Sequence, residues 1–157
     1  MIYISHRGNL NGPQLDLENT PEYIDAAIWD GFDVEIDVWY QESDGLMLGH
    51  DSPETPIKLD WLLERKNNLW VHCKNHLSLD LCLNTDLHCF YHTYEDWVLT
   101  SKNYVWAYPG KKALPLSKCI NVCPEKYESH LSAIEVIRNF SGVCSDYIEE
   151  IKECLKK

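Results

Sequence analysis

Two carboxylates in this chain are spaced as a metal-binding pair. Glu35 and Asp37 lie within residues 32–39, a run rich in β-branched and aromatic residues that predicts a β-strand. Because side chains alternate along a strand, both carboxylates point to one face and can bind the same hard cation. An ordinary strand with its polar face in water shows the same alternation. Two histidine motifs nearby, HRG at residues 6–8 and GHD at residues 49–51, favour the metal site.

Histidines beside a metal-bound phosphate have a defined chemical use. One imidazole takes a proton from the attacking hydroxyl, and the other gives a proton to the leaving alkoxide. His6 and His50 are the candidates for these two roles. Arg7 suits a phosphate, because its planar guanidinium can bind two phosphate oxygens at once where a lysine acts only as a point charge. A salt bridge between Arg7 and Glu18 is the alternative, and the two roles are compatible.

Four motifs near the start of the chain resemble those of the glycerophosphodiester phosphodiesterase family. They are HRG at residues 6–8, ENT at residues 18–20, E-x-D at residues 35–37 and HD at residues 50–51, in the family's order. A weaker similarity to the end of the family's barrel lies at residues 142–147, with Ile148 where many members have proline. The resemblance implies a (β/α)₈ barrel of the PI-PLC-like superfamily and a metal-dependent phosphodiesterase that cleaves glycerol or alkyl phosphodiesters. It also implies that His6 and His50 are catalytic, and that Glu18 and Asp51 support the metal ligands as immediate neighbours.

The strand predicted at residues 69–75 departs from the family pattern. Members of the family carry E-x-K there, whereas this chain has His72 followed by Lys74. A neutral imidazole still binds a divalent ion, but it shifts the preference from Mg²⁺ or Ca²⁺ toward Mn²⁺ or Zn²⁺. The same substitution leaves open a phospho-ligand binding protein that has lost turnover. The predicted metal ligands are Glu35, Asp37 and His72, and the predicted substrate contacts are Arg7, Lys74 and His92.

The elements that must position these residues predict a barrel with few helices. An apolar run at residues 2–5 leads to His6 at the carboxyl end of a first strand, which is the catalytic end of an α/β barrel. Helical patterns occur at residues 21–30, 59–65, 77–83 and 129–140, and short strand-like runs occur at residues 89–92, 104–108 and 119–123. A complete (β/α)₈ barrel usually takes about 250 residues. For 157 residues we predict one α/β domain over 1–157, a compact TIM-type barrel with several helices shortened or missing, or alternatively an open, incomplete barrel.

Composition argues against several classes of function. The formal net charge is −11 and no basic run occurs, so nucleic-acid binding through phosphate neutralisation is not expected. Neither a signal peptide nor an apolar stretch of about 18 residues is visible, so we expect a soluble, cytoplasmic protein with a small phosphodiester substrate and no integral membrane association. Seven cysteines fit a reducing compartment. Cys119 and Cys123 resemble zinc ligands, but on one strand they would face the same side about two pleats apart, and core packing is predicted.

Overall fold

The structure is a computed structural model that describes residues 1–108, 117–126 and 130–156. Within them, one sheet contains ten strands, flanked by five α-helices and a 3₁₀ helix at Pro124–Lys126. The strands are Ile2–His6 (β1), Asp33–Gln41 (β2), Gly45–Leu48 (β3), Thr55–Ile57 (β4), Leu69–Cys73 (β5), Cys89–Phe90 (β6), Trp97–Leu99 (β7), Val105–Ala107 (β8), Cys119–Val122 (β9) and Gly142–Ser145 (β10). The α-helices are Pro21–Trp29 (α1), Leu59–Glu64 (α2), His76–Leu83 (α3), His130–Ile137 (α4) and Ile148–Leu155 (α5).

Parallel strands form the centre of the sheet. Their spatial order is β6-β5-β2-β1-β10-β9-β8, and every ladder in this series is parallel. Antiparallel additions extend it: β7 pairs with β8, and β3 and β4 form a meander with the long strand β2. The sheet curls into a half-barrel, which confirms the mixed α/β prediction and fits the open, incomplete barrel. Among the described residues no strand ladder joins β6 to the β7–β8 hairpin, although the Ser101 amide donates a hydrogen bond to the Cys89 carbonyl oxygen at 2.8 Å.

Alternation along the strands separates an inner core from an outer one. Strand residues, together with Cys123 just after β9, form the inner core, where Phe90 of β6 stacks on Trp106 of β8 with ring centroids 4.6 Å apart. Since β6 and β8 are distant in the sheet order, this contact must cross the inside of the curl. On β2, Val34 and Ile36 instead pack outward against α1, α2 and α3. The intervening carboxylates of β2 therefore point inward, as the sequence pattern predicts.

The observed elements agree with the predicted ones most closely in the first half of the chain. The strand after residue 2, the helix from residue 21 and the strand at residue 69 are all present. Residues 43–45, whose Ser-Asp-Gly sequence predicts a turn, join β2 to β3 as a hairpin. Strands β4 and β7 and helix α5 were not predicted. Helix α5 does carry a helical signal, because Ile148 and Ile151 are buried on one side and its first turn is acidic. Pro109 and Gly110 also predict a turn, which lies outside the described residues.

The connection between β6 and β8 shows how the fold is shortened. It contains the short strand β7 rather than a helix, so this part of the barrel wall has no outer layer of its own.

None of the helices in the described ranges combines the length and the apolar character needed to cross a bilayer.

Candidate active site

The carboxyl ends of the parallel strands surround a polar pocket of about 430 Å³. Register brings the predicted residues together: His6 of β1 pairs with Glu35 of β2, and Asp37 of β2 pairs with His72 of β5. Clustering at this end is the usual placement of active sites in α/β barrels. The pocket is lined by His6, Arg7, Glu35, His50, His72, Lys74, His92, Thr93, Trp106, Tyr108, Val122 and Lys126.

Backbone conformation explains the glycines beside both catalytic candidates. Gly8 has a φ of +95°, and a Cβ there would lie 2.5 Å from the Tyr23 ring. Gly49 has a φ of +148°, and a Cβ there would overlap the Ser52 carbonyl oxygen. Arg7 itself adopts a left-handed conformation with a φ of +55°, which is unfavourable for a side-chain residue and tends to occur at functional sites. These turns aim the side chains of residues 6–7 and 50 into one pocket.

Asp37 is the most heavily paired side chain of the site. It is fully buried, and both carboxylate oxygens have cationic or hydrogen-bonding partners. Burial opposes ionisation, but hydrogen bonds from His50 and His72 and the charge of Arg7 hold the pKa of Asp37 well below its ordinary value. Asp37 is therefore an anion at neutral pH. Its partners are Arg7 Nε at 3.1 Å, Asn19 Nδ2 at 3.0 Å and His50 Nδ1 at 3.1 Å on Oδ2, and His72 Nδ1 at 2.9 Å and Lys74 Nζ at 3.3 Å on Oδ1.

Glu35 is buried without such compensation. Its Oε2 atom has no hydrogen-bond partner, and the nearest imidazole atoms to its carboxylate are His72 Nδ1 at 3.8 Å and His6 Nε2 at 3.9 Å. Burial and the negative charge of Asp37 raise the pKa of Glu35 above its ordinary value. A buried carboxylate with an unmet acceptor is unfavourable unless a cation or donor reaches it.

The three predicted metal ligands are brought together. One ligand atom each from Glu35, Asp37 and His72 lies within 4.8 Å of the others, and all three side chains are buried. Two carboxylate oxygens and one imidazole nitrogen suit a divalent ion. The unpartnered Oε2 of Glu35 is the clearest sign that a cation fits here.

His6 is held by a carboxylate that the sequence analysis did not assign. Its Nδ1 donates to Asp146 Oδ1 at 2.7 Å, so Nε2 faces Glu35 and the pocket. Asn9 joins Asp146 to Glu18, donating to the two carboxylates at 2.9 and 2.8 Å. Burial disfavours a charged His6, yet Cys123, Asp146 and Glu35 outweigh it and raise the pKa of His6 well above its ordinary value. A carboxylate on one ring nitrogen fixes the tautomer and orientation of the other.

His50 has a hydrogen-bonding partner in either protonation state. Its Nδ1 lies 2.7 Å from Arg7 Nη2 and 3.1 Å from Asp37 Oδ2. Neutral His50 accepts from the guanidinium, which can only donate, whereas protonated His50 donates to the carboxylate. Its side chain is 41% exposed, so it can exchange protons with solvent or a bound ligand. Asp51 approaches His50 Nε2 only to 3.6 Å and is 95% exposed.

The remaining predicted residues line the pocket in different ways. Glu18 accepts from Arg7 Nη1 at 3.0 Å, so the expected salt bridge forms. Lys74 is largely buried beside Asp37. His92 stacks on His72 with ring centroids 4.4 Å apart, and burial, together with the positive charges nearby, lowers the pKa of His92 to about 4. His92 is therefore neutral, and its buried Nδ1 has no hydrogen-bond partner.

Some site residues had weaker sequence signals. Asn19 donates to Asp37 Oδ2 and accepts from the Asp37 amide at 2.9 Å, which fixes this carboxylate. Asn19 lies within the ENT motif at residues 18–20, and this position is the sequence feature that points to a role in the site. Asp146 follows the last strand, where a polar residue at a strand end points to the site. Lys126, in the 3₁₀ helix after β9, lacked any distinguishing pattern.

The prediction for Cys123 needs correction. It was expected to share a strand and a face with Cys119, but β9 ends at Val122 and Cys123 has a φ of +45°. Both thiols are buried, as expected for core packing. The left-handed backbone turns Cys123 inward toward His6, away from the side on which alternation would place it.

Comparisons with protein-family models, with curated proteins and with solved structures found no match for this chain.

Proposed function

We propose that this protein is a metal-dependent phosphodiesterase of the glycerophosphodiester phosphodiesterase type. The reaction is cleavage of a P–O bond in a glycerol or alkyl phosphodiester. The observation that carries the proposal is the convergence of His6, His50 and the Glu35–Asp37–His72 ligand set on one pocket. Two proton-transfer groups and a cation site around one cavity are the parts that this hydrolysis requires.

Local charge supports an anionic substrate. The chain carries a net charge of −11, yet the pocket lining contains three permanent cations, Arg7, Lys74 and Lys126, and one carboxylate, Glu35. Arg7 and Lys74 are paired with Asp37 and Glu18, so they offer fixed donors to a small phosphodiester and not a broad positive field for an extended polyanion. In this proposal Arg7 and Lys74 bind the non-bridging phosphate oxygens, and His92 contributes a neutral donor or acceptor to the substrate.

Glu35, Asp37 and His72 would hold the divalent ion. When bound, the ion neutralises the non-bridging oxygens of the phosphate as charge develops there. The family resemblance favours Mg²⁺ or Ca²⁺, and the imidazole of His72 extends the range to Mn²⁺ or Zn²⁺.

The two histidines move the protons. His6 exchanges its proton at Nε2, because Asp146 holds Nδ1. His50 Nδ1 lies between Arg7 Nη2 and Asp37 Oδ2, and the partly exposed ring can exchange a proton with a bound substrate. One histidine takes the proton of the attacking hydroxyl, from a neighbouring substrate group or from water, and the other protonates the leaving alkoxide.

A non-catalytic phospho-ligand binding protein is the second candidate. Arg7, Lys74 and Lys126 line the pocket as hydrogen-bond donors, and a phosphate ester can accept from them without turnover. Substitution of the family's glutamate by His72 is consistent with such a change.

Turnover of small phosphodiesters with and without divalent metal separates these functions. We expect release of the alcohol from glycerophosphocholine or bis(p-nitrophenyl) phosphate with added Mg²⁺ or Mn²⁺, and loss of release with EDTA. His50→Ala should abolish the activity, whereas His76→Ala, an exposed histidine on α3, should retain it. Binding of the diester by calorimetry without turnover under any metal would favour the binding protein. Absence of both binding and turnover would contradict both functions.

A further inference from the structure

A second cluster of metal-binding atoms lies beside the candidate active site. His6, Cys123 and Asp146 each offer a ligand atom within 4.8 Å of the other two, and all three residues are buried. His6 is the last residue of β1, and Cys123 and Asp146 directly follow β9 and β10, so all three lie at the carboxyl ends of adjacent strands. The cluster shares no residue with the Glu35–Asp37–His72 set.

The backbone of Cys123 is distorted in a way that builds this cluster. Ile120 and Val122 point into the inner core, so alternation would turn Cys123 to the opposite side of β9. Its φ of +45° reverses that direction, and Cys123 joins the inner core beside His6. The Cys123 amide still donates to the Cys144 carbonyl oxygen at 2.7 Å. A left-handed conformation in a residue with a side chain is unfavourable and persists where its surroundings require it.

An unpartnered carboxylate oxygen next to the cluster gives a second, independent indication of a ligand. Glu125 Oε1 accepts from the Asp146 amide at 3.1 Å, but Glu125 Oε2 is buried and has no hydrogen-bond partner. A buried unmet acceptor commonly marks a missing donor, water or ion. Glu125 contacts the cluster through the Asp146 amide and is not one of its three closely spaced ligand residues.

The chemistry of the donors distinguishes this cluster from the first one. Thiolate and imidazole ligands select Zn²⁺ and similar ions, whereas carboxylate oxygens suit Mg²⁺ and Ca²⁺. We propose that His6, Cys123 and Asp146 form a second divalent-metal site that is selective for zinc-like ions. Ligation needs the thiolate of Cys123 and an unprotonated ring nitrogen of His6, so metal binding competes with protons at this site.

Occupation of this site has a regulatory consequence, which rests on the proposed phosphodiesterase function. An ion bound to His6 uses the imidazole lone pair and removes the histidine from proton transfer. Zinc should therefore inhibit turnover that Mg²⁺ supports. Such inhibition needs two ligands outside the proposed catalytic set, Cys123 and Asp146, and Asp146 already contacts His6.

Cobalt(II) titration of the full chain tests the site without any activity measurement. Thiolate-bound cobalt has a sulfur-to-metal charge-transfer band, which the oxygen and nitrogen ligands of the first site cannot produce. We expect the wild type to bind two equivalents and show the band, and Cys123→Ser to keep one equivalent and lose the band. Cys119→Ser, which removes a buried thiol from the other end of β9, should keep both. A wild type without the band, or a Cys123→Ser variant that retains it, would overturn the site.

Two further measurements complete the test. A zinc-edge anomalous map of wild-type crystals covers the case in which Cys123→Ser does not fold. A peak about 2.3 Å from Cys123 Sγ supports the site, and zinc at the Glu35–Asp37–His72 set alone excludes it. In assays, zinc should inhibit Mg²⁺-supported turnover at least 10-fold less strongly in Cys123→Ser than in wild type, and equal inhibition counts against the regulatory role. A wild type without turnover would refute the phosphodiesterase, and the cobalt band would still decide the metal site.

Discussion

Replacing Glu35 by glutamine should make the metal-free protein more stable. The Glu35 side chain is buried, its Oε2 has no partner, and its closest imidazole atoms are 3.8 and 3.9 Å away. Burial and Asp37 raise the pKa of Glu35, so the folded protein holds this proton more tightly than the unfolded chain does. At neutral pH the ionised side chain therefore lowers stability, and Glu35→Gln removes the charge with almost no change in shape.

The size of the effect follows from the unmet acceptor. A buried polar group without its partner costs about 1–3 kcal/mol, and more when it is charged. The new amide hydrogens of glutamine reduce the gain, so we expect a net stabilisation of roughly 1–2 kcal/mol. For a chain of this size that corresponds to a rise in Tm of about 2–8 °C. The stability difference between Glu35→Gln and the wild type should vanish below about pH 4, where Glu35 is protonated in both the folded and the unfolded protein.

Added divalent metal should make the wild type more stable than Glu35→Gln. At 100 times its Kd, an ion stabilises the wild type by about 2.7 kcal/mol, and Glu35→Gln should gain little because it has lost a ligand. Thermal unfolding followed by circular dichroism, with EDTA and then with Mg²⁺ or Mn²⁺, measures both effects. Glu18→Gln is the matched control: Glu18 is paired with Arg7 and Asn9, so this variant should lose about 1 kcal/mol. A metal-free Glu35→Gln protein that is less stable than wild type would refute the reasoning.

Five other variants test separate parts of the site and fold. His6→Ala and His50→Ala should each lower kcat roughly 10²–10⁴-fold while Mg²⁺ binding, measured by calorimetry, persists; near-normal kcat in either variant would rule out its role. His72→Glu should keep or raise activity with Mg²⁺ and lose it with Zn²⁺, and an unchanged metal preference in the same assays would place His72 away from the ion. Asn19→Ala should weaken metal binding about 10–100-fold, because Asn19 orients Asp37; unaltered affinity would contradict this. Burial lowers the pKa of His88 to about 4, so the unfolded chain takes up its proton first and stability should fall between about pH 6.5 and 4; His88→Gln should flatten this decline in urea unfolding.

Local sequence patterns were sufficient to place many of the candidate residues. Glu35 and Asp37 share a face because strand alternation is a local property, and His6 and His72 lie at the ends of strands whose apolar runs are visible in the sequence. Parallel strands then bring their carboxyl ends to one rim. Two local rules together explain why motifs far apart in the chain meet in one pocket.

Contacts between distant parts of the chain could not be predicted in this way. Asp146 reaches His6 across 140 positions, and that pairing depends on β10 lying beside β1, which no local pattern specifies. Cys123 was placed on the wrong face because alternation assumes extended backbone, and its left-handed φ breaks that assumption. The extent of the barrel also depends on long-range packing, since β7 and β8 form a hairpin where a helix would normally lie.

A histidine at position 72 suits the metal-free protein better than a carboxylate would. His72 Nδ1 lies 2.9 Å from Asp37 and 3.8 Å from Glu35, inside a buried site. A third carboxylate there would repel each of the other two by about 4 kcal/mol at 4 Å and an effective dielectric constant of 20. The imidazole avoids this repulsion and donates a hydrogen bond to Asp37 instead. His72→Glu should therefore bind Mg²⁺ more tightly but unfold at a lower temperature in EDTA, and a variant that gained affinity without losing metal-free stability would show that this repulsion is screened.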